Sequence, residues 1–132
     1  MEVQVDDKLT VKVFDEQKKL VEGEVTMTFG LLNELVKLTG DINRIGIIDI
    51  EPDLAESVLD CVLAERDARG KRKDATAGHP DLPREEAAQI FDWVKEHLLG
   101  FFLQRLKNTA DLMAKNKDAM APIGSWLSSS KA

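Results

Sequence analysis

A helical hydrophobic pattern dominates the stretch from Pro83 to Asn116, which holds four of the seven aromatic residues. At about 100° per residue, six apolar residues fall on one side of a helix: Ala87, Ile90, Phe91, Val94, Leu98 and Phe101. This spacing predicts one long helix, over residues 83–117, whose first half packs against a core. Arg105 lies in the same angular sector and ends that face, because a guanidinium is rarely buried without a partner.

A second apolar stripe begins just before Arg105, on another side of the helix. Its spacing of four, three, four and three residues is the a/d repeat of a seam between helices: Leu99, Leu103, Leu106, Ala110 and Met113. Two interpretations are open. The ordinary one, favoured by a length of only two heptads, is that other helices of this chain cover both stripes. The alternative is that the second stripe binds a partner.

The first 29 residues alternate between apolar and polar positions, which is typical of strands. The pattern predicts two short strands within residues 2–14 and a third over 25–29, with a polar connection at 15–19. The apolar members of these strands are Val3, Val5, Leu9, Val11, Val13, Val25, Met27 and Phe29. Together they would form a small antiparallel sheet that needs helices to cover its apolar face.

Helices are predicted over residues 30–67. Thr28 is suited to cap the first helix and Gly40 to end it in the left-handed conformation. Residues 41–50 hold five isoleucines and Gly46, which we interpret as a short helical turn followed by a buried extended segment. Pro52 then suits the first turn of a further helix. Cys61 lies on the apolar face of that helix, where a packed thiol is a better interpretation than a nucleophile.

The hydrophobic pattern disappears between residues 68 and 82, which predicts an exposed, flexible loop. The basic run from Arg66 to Lys73 could contact RNA or an acidic protein, but a solvated loop is favoured because no aromatic residues interleave with it. The expected organisation is a single domain over residues 1–120 and a flexible serine-bearing tail over 121–132. The fold class is therefore mainly α (α+β): a small N-terminal antiparallel sheet followed by about four helices, the last one long.

Composition narrows the functional classes. The chain has 132 residues, 43% of them hydrophobic, and a net charge of −6. An acidic balance argues against general nucleic-acid binding. The single cysteine is compatible with a reducing compartment, and no segment is apolar enough to span a membrane. The N-terminal residues MEVQVDDKL lack the basic and apolar regions of a leader. We expect a soluble intracellular protein.

No catalytic or metal-binding constellation is visible in the sequence. His79 lies in the predicted loop and His97 at the margin of the core face, and neither has the spacing of a metal motif. The run GKRKD lacks the first glycine and the final Ser or Thr of a phosphate loop. We therefore expect no enzyme, no cofactor and no metal. Apolar surface beyond the needs of a small domain indicates protein binding instead.

The order of these features is informative. VTMTFGLLNELVKLTGD precedes the isoleucine-rich IGIIDIEPD, the helix LAESVLDCVLAERDARGK, a polar linker, EEAAQIFDWVKEHLLGFFLQRL and a serine-bearing tail. Over roughly residues 25–130 this arrangement resembles the tail assembly chaperones of long-tailed bacteriophages, through hydrophobic motifs that carry no catalytic signature. The strands at the N-terminus depart from that pattern.

The resemblance implies a non-enzymatic, mostly helical protein that binds the tape-measure protein and recruits tail-tube subunits while the tail is built. It would act in the host cytoplasm and be absent from the mature virion. Pairing with a second copy of this chain is an open alternative for the second stripe. The residues proposed to bind the partner are Leu99, Leu103, Leu106, Ala110, Met113 and Trp126. No nucleic-acid or membrane partner is expected. The alternative is a small phage or bacterial regulator that acts by binding a protein partner.

Overall fold

The computed structural model describes residues 6–115 except 75 and 77. Strands β1 (Lys8–Phe14) and β2 (Leu20–Thr26) are followed by helix α1 (Phe29–Thr39), a short 3₁₀ helix (Ile42–Ile47), helix α2 (Pro52–Leu63) and helix α3 (Arg84–Lys115). The predicted fold class is confirmed: a small N-terminal antiparallel sheet precedes four helices, the last one long. The chain divides into two compact units, Met1–Gly100 and Phe101–Ala132, and the helix α3 contributes to both.

The strands β1 and β2 form an antiparallel hairpin in which Lys8 pairs with Thr26 and Phe14 with Leu20. The predicted connection at residues 15–19 is confirmed. Within it the Asp15 carboxylate accepts hydrogen bonds from the backbone N–H groups of Gln17 and Lys19, each at 2.9 Å. This Asx-type arrangement closes the turn without a glycine.

The second strand is displaced from its predicted position. The strand predicted over 25–29 is right only for residues 25 and 26, because β2 covers Leu20–Thr26 and Phe29 already begins α1. The reason is the cap: the Thr28 hydroxyl accepts a hydrogen bond from the Leu31 N–H at 3.3 Å, which fixes the start of the helix there. The predicted strand around Val3 and Val5 lies outside the described residues.

Both predicted ends of α1 are confirmed. Thr28 is its N-cap, and Gly40 ends it with φ +91° while its N–H donates to the Val36 carbonyl. The following segment is only partly as expected. A 3₁₀ helix covers Ile42–Ile47, but the extended segment predicted after it is wrong, since residues 48–50 form turns. Ile48 is fully buried within these turns.

The helix α2 begins at Pro52, as predicted, but ends at Leu63 rather than at 67. The chain leaves the helix because Ala64 is extended, with ψ 146°. The core of this unit is built mainly from α1, α2 and the first half of α3: Leu31, Leu35, Val58, Cys61, Ile90, Val94 and Leu98 are all at most 1% exposed. Val11 of β1 is buried as well.

Candidate partner-binding surface

The helix α3 starts directly after Pro83, whose carbonyl accepts from the N–H groups of Glu86 and Ala87. Glu85 and Glu86 lie in its first turn, where negative charge complements the helix dipole. The Glu86 carboxylate also accepts a hydrogen bond from the backbone N–H of Lys12 in β1, at 3.3 Å. The helix is thus tied to the hairpin at its beginning.

The first half of α3 has the predicted core face. Its buried residues are Ile90, Phe91, Trp93, Val94 and Leu98. Trp93 was not predicted as a core residue, because at 100° per residue it lies about 110° from the centre of the apolar sector. The structure explains its burial, since its indole N–H donates to the Asp6 carbonyl at 2.7 Å and so leaves no unsatisfied donor. The His97 Nε2 contacts the same carbonyl oxygen at 2.8 Å and packs edge-on against the Trp93 ring.

The second stripe, which we call the seam (Leu99, Leu103, Leu106, Ala110 and Met113), is exposed. Leu99 is 45% exposed, Leu103 51%, Leu106 61% and Met113 51%, and Ala110 is also exposed. The ordinary interpretation, in which helices of this chain cover both stripes, is therefore wrong for the described residues. All five seam positions lie in one uninterrupted helix. Trp126, the sixth predicted partner-binding residue, lies outside the described residues.

The aromatic pair after Gly100 behaves differently from the prediction. Phe101 was expected to continue the core face, but it is only half-buried, and Phe102 is too. Their rings pack edge to face at a centroid distance of 5.5 Å. The Arg105 guanidinium lies 5.2 Å from the centre of the Phe101 ring, a cation–π contact that leaves the charge solvated. This contact explains how Arg105 is accommodated in the angular sector that otherwise carries the core face.

A polar cluster in the first unit was not visible in the sequence. The Glu34 carboxylate of α1 accepts from Arg66 Nη1 at 2.8 Å and from Arg72 Nε at 2.9 Å. The Cys61 thiol donates to Glu34 Oε2 at 3.0 Å. Arg66 also donates to the Gly70 and Cys61 carbonyls. The interpretation of the basic run as a solvated loop is thus wrong for Arg66 and Arg72, whose side chains are 12% and 20% exposed.

The chain approaches itself closely at this cluster. A Cβ atom at Gly30 would lie 2.5 Å from the Gly70 carbonyl oxygen, so only glycine fits there. Gly70 has φ +81°, which also favours glycine. Residues 66 and 72 form an isolated antiparallel bridge on either side of this turn. The flexibility predicted for residues 68–82 stays a prediction.

The contacts within the cluster shift the pKa values of Glu34 and Cys61 in opposite directions. Burial raises the pKa of the Glu34 carboxyl, but hydrogen bonds from Arg66, Cys61 and Arg72 outweigh that effect and lower it from 4.5 to about 2. Burial, together with the hydrogen bond to the Glu34 carboxylate, raises the pKa of the Cys61 thiol to about 12. The raised pKa favours the protonated thiol at neutral pH. The complete burial of Cys61 is what agrees with its interpretation as a packed thiol.

The histidines also have backbone partners. His79 Nδ1 lies 2.8 Å from the Pro80 carbonyl, and its Nε2 lies 3.7 Å from the Asp60 carboxylate. In the part of the chain that the structure describes, no group of three or more His, Cys, Asp or Glu side chains could hold a metal ion. None of the described helices is long and apolar enough to cross a membrane.

Comparison of the chain with protein-family models, with curated proteins and with solved structures gives no match.

Proposed function

We propose that this protein is a tail assembly chaperone of a long-tailed bacteriophage. Its seam binds the helical tape-measure protein, and the complex recruits tail-tube subunits in the host cytoplasm before the chaperone leaves the finished particle. The observation that carries the proposal is the exposure of four large seam side chains, between 45% and 61%, along one face of α3. Isolated exposed leucines are common, but an ordered row of them marks an interaction site.

The shape of the seam indicates the kind of partner. An a/d repeat presents alternating side chains to a second helix, which packs its own residues into the spaces between them. From Leu99 to Met113 the seam is about 21 Å long at 1.5 Å per residue, which matches about four turns of a partner helix. A tape-measure protein is a long helical protein whose apolar stripes would aggregate unless covered. A short, exposed, helical seam fits that task.

The second candidate is a regulator that binds another protein through the same seam. A regulator would bind its partner in the same way as a chaperone, because any helical partner with a matching apolar stripe would fit the seam. The two candidates differ in their client, and a regulator that acts on a promoter complex would also be retained on DNA. The overall charge of −6 disfavours such retention.

Co-expression tests the proposal. A tape-measure fragment that is insoluble alone should remain soluble with the full-length protein, and Leu103→Asp should abolish that protection. Asn108→Asp is the matched control, because it adds the same charge on the opposite side of α3. The new carboxylate can still accept the hydrogen bond that Gln104 donates to Asn108 Oδ1 at 2.9 Å. The control should protect the fragment as the wild type does.

The opposite results have clear meanings. If Leu103→Asp protects the fragment fully, the seam is not the client site. If the wild type never protects a tape-measure fragment but is retained on duplex DNA in a salt-dependent way, the regulator is favoured. Pull-down with purified tail-tube protein tests recruitment, which should require the tape-measure fragment.

A further inference from the structure

The charge of the chain is unevenly divided between its two units. Residues 1–100 carry 13 basic and 22 acidic side chains, whereas residues 101–132 carry 5 basic and 2 acidic ones. The segment that bears most of the seam is thus locally basic in a protein that is acidic as a whole. Charges farther apart than about 8 Å are screened at physiological salt, so a partner on the seam responds to the charges between Leu99 and Met113, which are Arg105, Lys107 and Asp111, a net charge of +1.

Lys107 is a cation on the flank of the seam. It follows Leu103 by four residues and precedes Ala110 by three, so it lies beside both on the helix surface. In the a/d repeat it occupies the e position, from which charged side chains contact the flank of a partner helix. Lys107 is exposed. Across the described residues, the ion pairs involve neither Lys107 nor Arg105.

A second copy of this chain is a poor occupant. Its own seam segment would bring the same basic surplus, and like charges at the flanks disfavour pairing. The helices α1 and α2 direct most of their large apolar residues into the core, among them Leu31, Leu35, Leu54 and Val58, although Phe29 at the start of α1 is 77% exposed. In the described part of the chain they therefore offer no second exposed a/d stripe for the seam of another copy.

From this placement we infer that the seam selects an amphipathic helix of another protein whose flanks are acidic, with Lys107 as the residue that selects it. The inference rests on the proposed function, since it names the chemistry of the helix that the seam binds. Apolar contacts along the a/d positions supply affinity, and the pairing of Lys107 with a carboxylate on the partner supplies orientation and preference.

Two synthetic peptides test the inference with the full-length protein. Both carry leucine at every a and d position over four heptads; one has glutamate at its e and g positions and the other lysine. Calorimetric titration at low salt should show the glutamate peptide binding roughly tenfold more tightly, and high salt should shrink that ratio. Lys107→Glu should abolish or reverse the preference. Lys37→Glu makes the same charge change at an exposed position of α1 and should preserve it.

The failures can be told apart. Equal binding of both peptides, abolished by Leu103→Asp, overturns the acidic preference while leaving a helix-binding seam in place. A preference that survives Lys107→Glu overturns the role of that residue. Binding of neither peptide overturns the inference, and the co-expression result then decides the proposed function separately. Sedimentation that shows a dimer dispersed by Leu103→Asp overturns it in favour of a second copy.

Discussion

The two halves of α3 have similar hydrophobic content and opposite surroundings. From Ile90 to Leu98 the large apolar residues are at most 8% exposed, whereas the leucines from Leu99 to Leu106 are 45% to 61% exposed. The first half has a broad apolar face, while the second has a narrow a/d row, with Leu112 also exposed outside that row. A broad face is typical of a helix on a globular core and a narrow row of a helix–helix seam. The difference lies in the width of the stripe rather than in hydrophobicity.

The two halves of α3 also differ in their polar contacts. The first half is bound at Trp93 and His97 to the Asp6 carbonyl, and Lys95 pairs with Asp49 at 2.9 Å. Two side-chain contacts of the second half are local: Arg105 lies over Phe101, and Gln104 donates to Asn108. A helix held by distant partners is part of a cooperative core, whereas one with only local contacts depends on its own propensity.

The largest expected effect is from Leu98→Asp, which breaks the buried half. Leu98 is fully buried, so the change removes a packed side chain and buries a carboxylate without a partner. The expected loss is about 4 kcal/mol or more, against a total stability of roughly 5–15 kcal/mol for a domain. Circular dichroism should show an unfolded or molten chain. A cooperative melt close to that of the wild type would contradict the assignment of Leu98 to the core.

The second effect concerns the polar cluster that ties residues 66–72 to α1. Glu34→Gln leaves Arg66 and Arg72 without their counter-charge while keeping the shape of the side chain. Since Glu34 is 28% exposed, solvent screens part of the loss, and we expect about 2 kcal/mol. Urea unfolding followed by circular dichroism measures this loss. Glu22→Gln, at an exposed carboxylate of β2, should change the stability by less than about 0.5 kcal/mol.

The stability lost in Glu34→Gln should also depend on pH. Because the pKa of Glu34 is lowered from 4.5 to about 2, its contribution is fully present above pH 4.5 and is lost as the pH falls toward 2. The stability difference between wild type and Glu34→Gln should therefore be constant near neutrality and shrink across that window. A difference that stays unchanged down to about pH 2 would show that the ionised carboxylate is not what stabilises the cluster.

Sequence pattern alone could predict the elements whose cause is local. The cap at Thr28, the helix end at Gly40 and the start at Pro52 each depend on the chemistry of one residue and its neighbours. The core face of α3 follows from its period. The seam was visible as spacing, but its exposure was not, because spacing does not say what lies opposite a helix.

The polar cluster could not be predicted, for a physical reason. Glu34 and Arg66 are 32 residues apart, and Glu34 and Arg72 are 38 apart. Their pairing depends on the close approach of Gly30 and Gly70, which no local pattern encodes. The stretch from 68 to 82 shows no hydrophobic period because ion pairs and hydrogen bonds, not apolar packing, hold part of it. Such contacts produce no regular spacing of apolar residues in the sequence. Trp93 was missed since its burial needs the Asp6 carbonyl, a partner 87 residues away.

Trypsin digestion of the wild type should also distinguish the two halves of α3. Trypsin should cut first at Arg69 or Lys71 in the predicted flexible loop, next at Arg105 or Lys107, and last at Lys95. The order follows from exposure and contacts, because Lys95 is ion-paired in the packed half while Lys107 is exposed. Mass spectrometry of timed samples gives the order. A first cut inside residues 85–104 would contradict both the domain map and the contrast between the halves.

The smallest expected effect on stability, and the most informative for function, is from Leu103→Asp. Leu103 is 51% exposed, so its carboxylate variant is hydrated in the folded monomer and should change the free energy of unfolding by about 0.5 kcal/mol or less. Binding should respond in the opposite way, because docking a helix on the seam would bury that charge without a partner and cost several kcal/mol. Thermal melting and client binding measured on the same sample separate the two quantities. A loss of stability as large as that of Leu98→Asp would show that Leu103 is part of the buried core. Unchanged folding together with unchanged binding would leave the seam as ordinary surface, and the contrast within α3 would then carry no function.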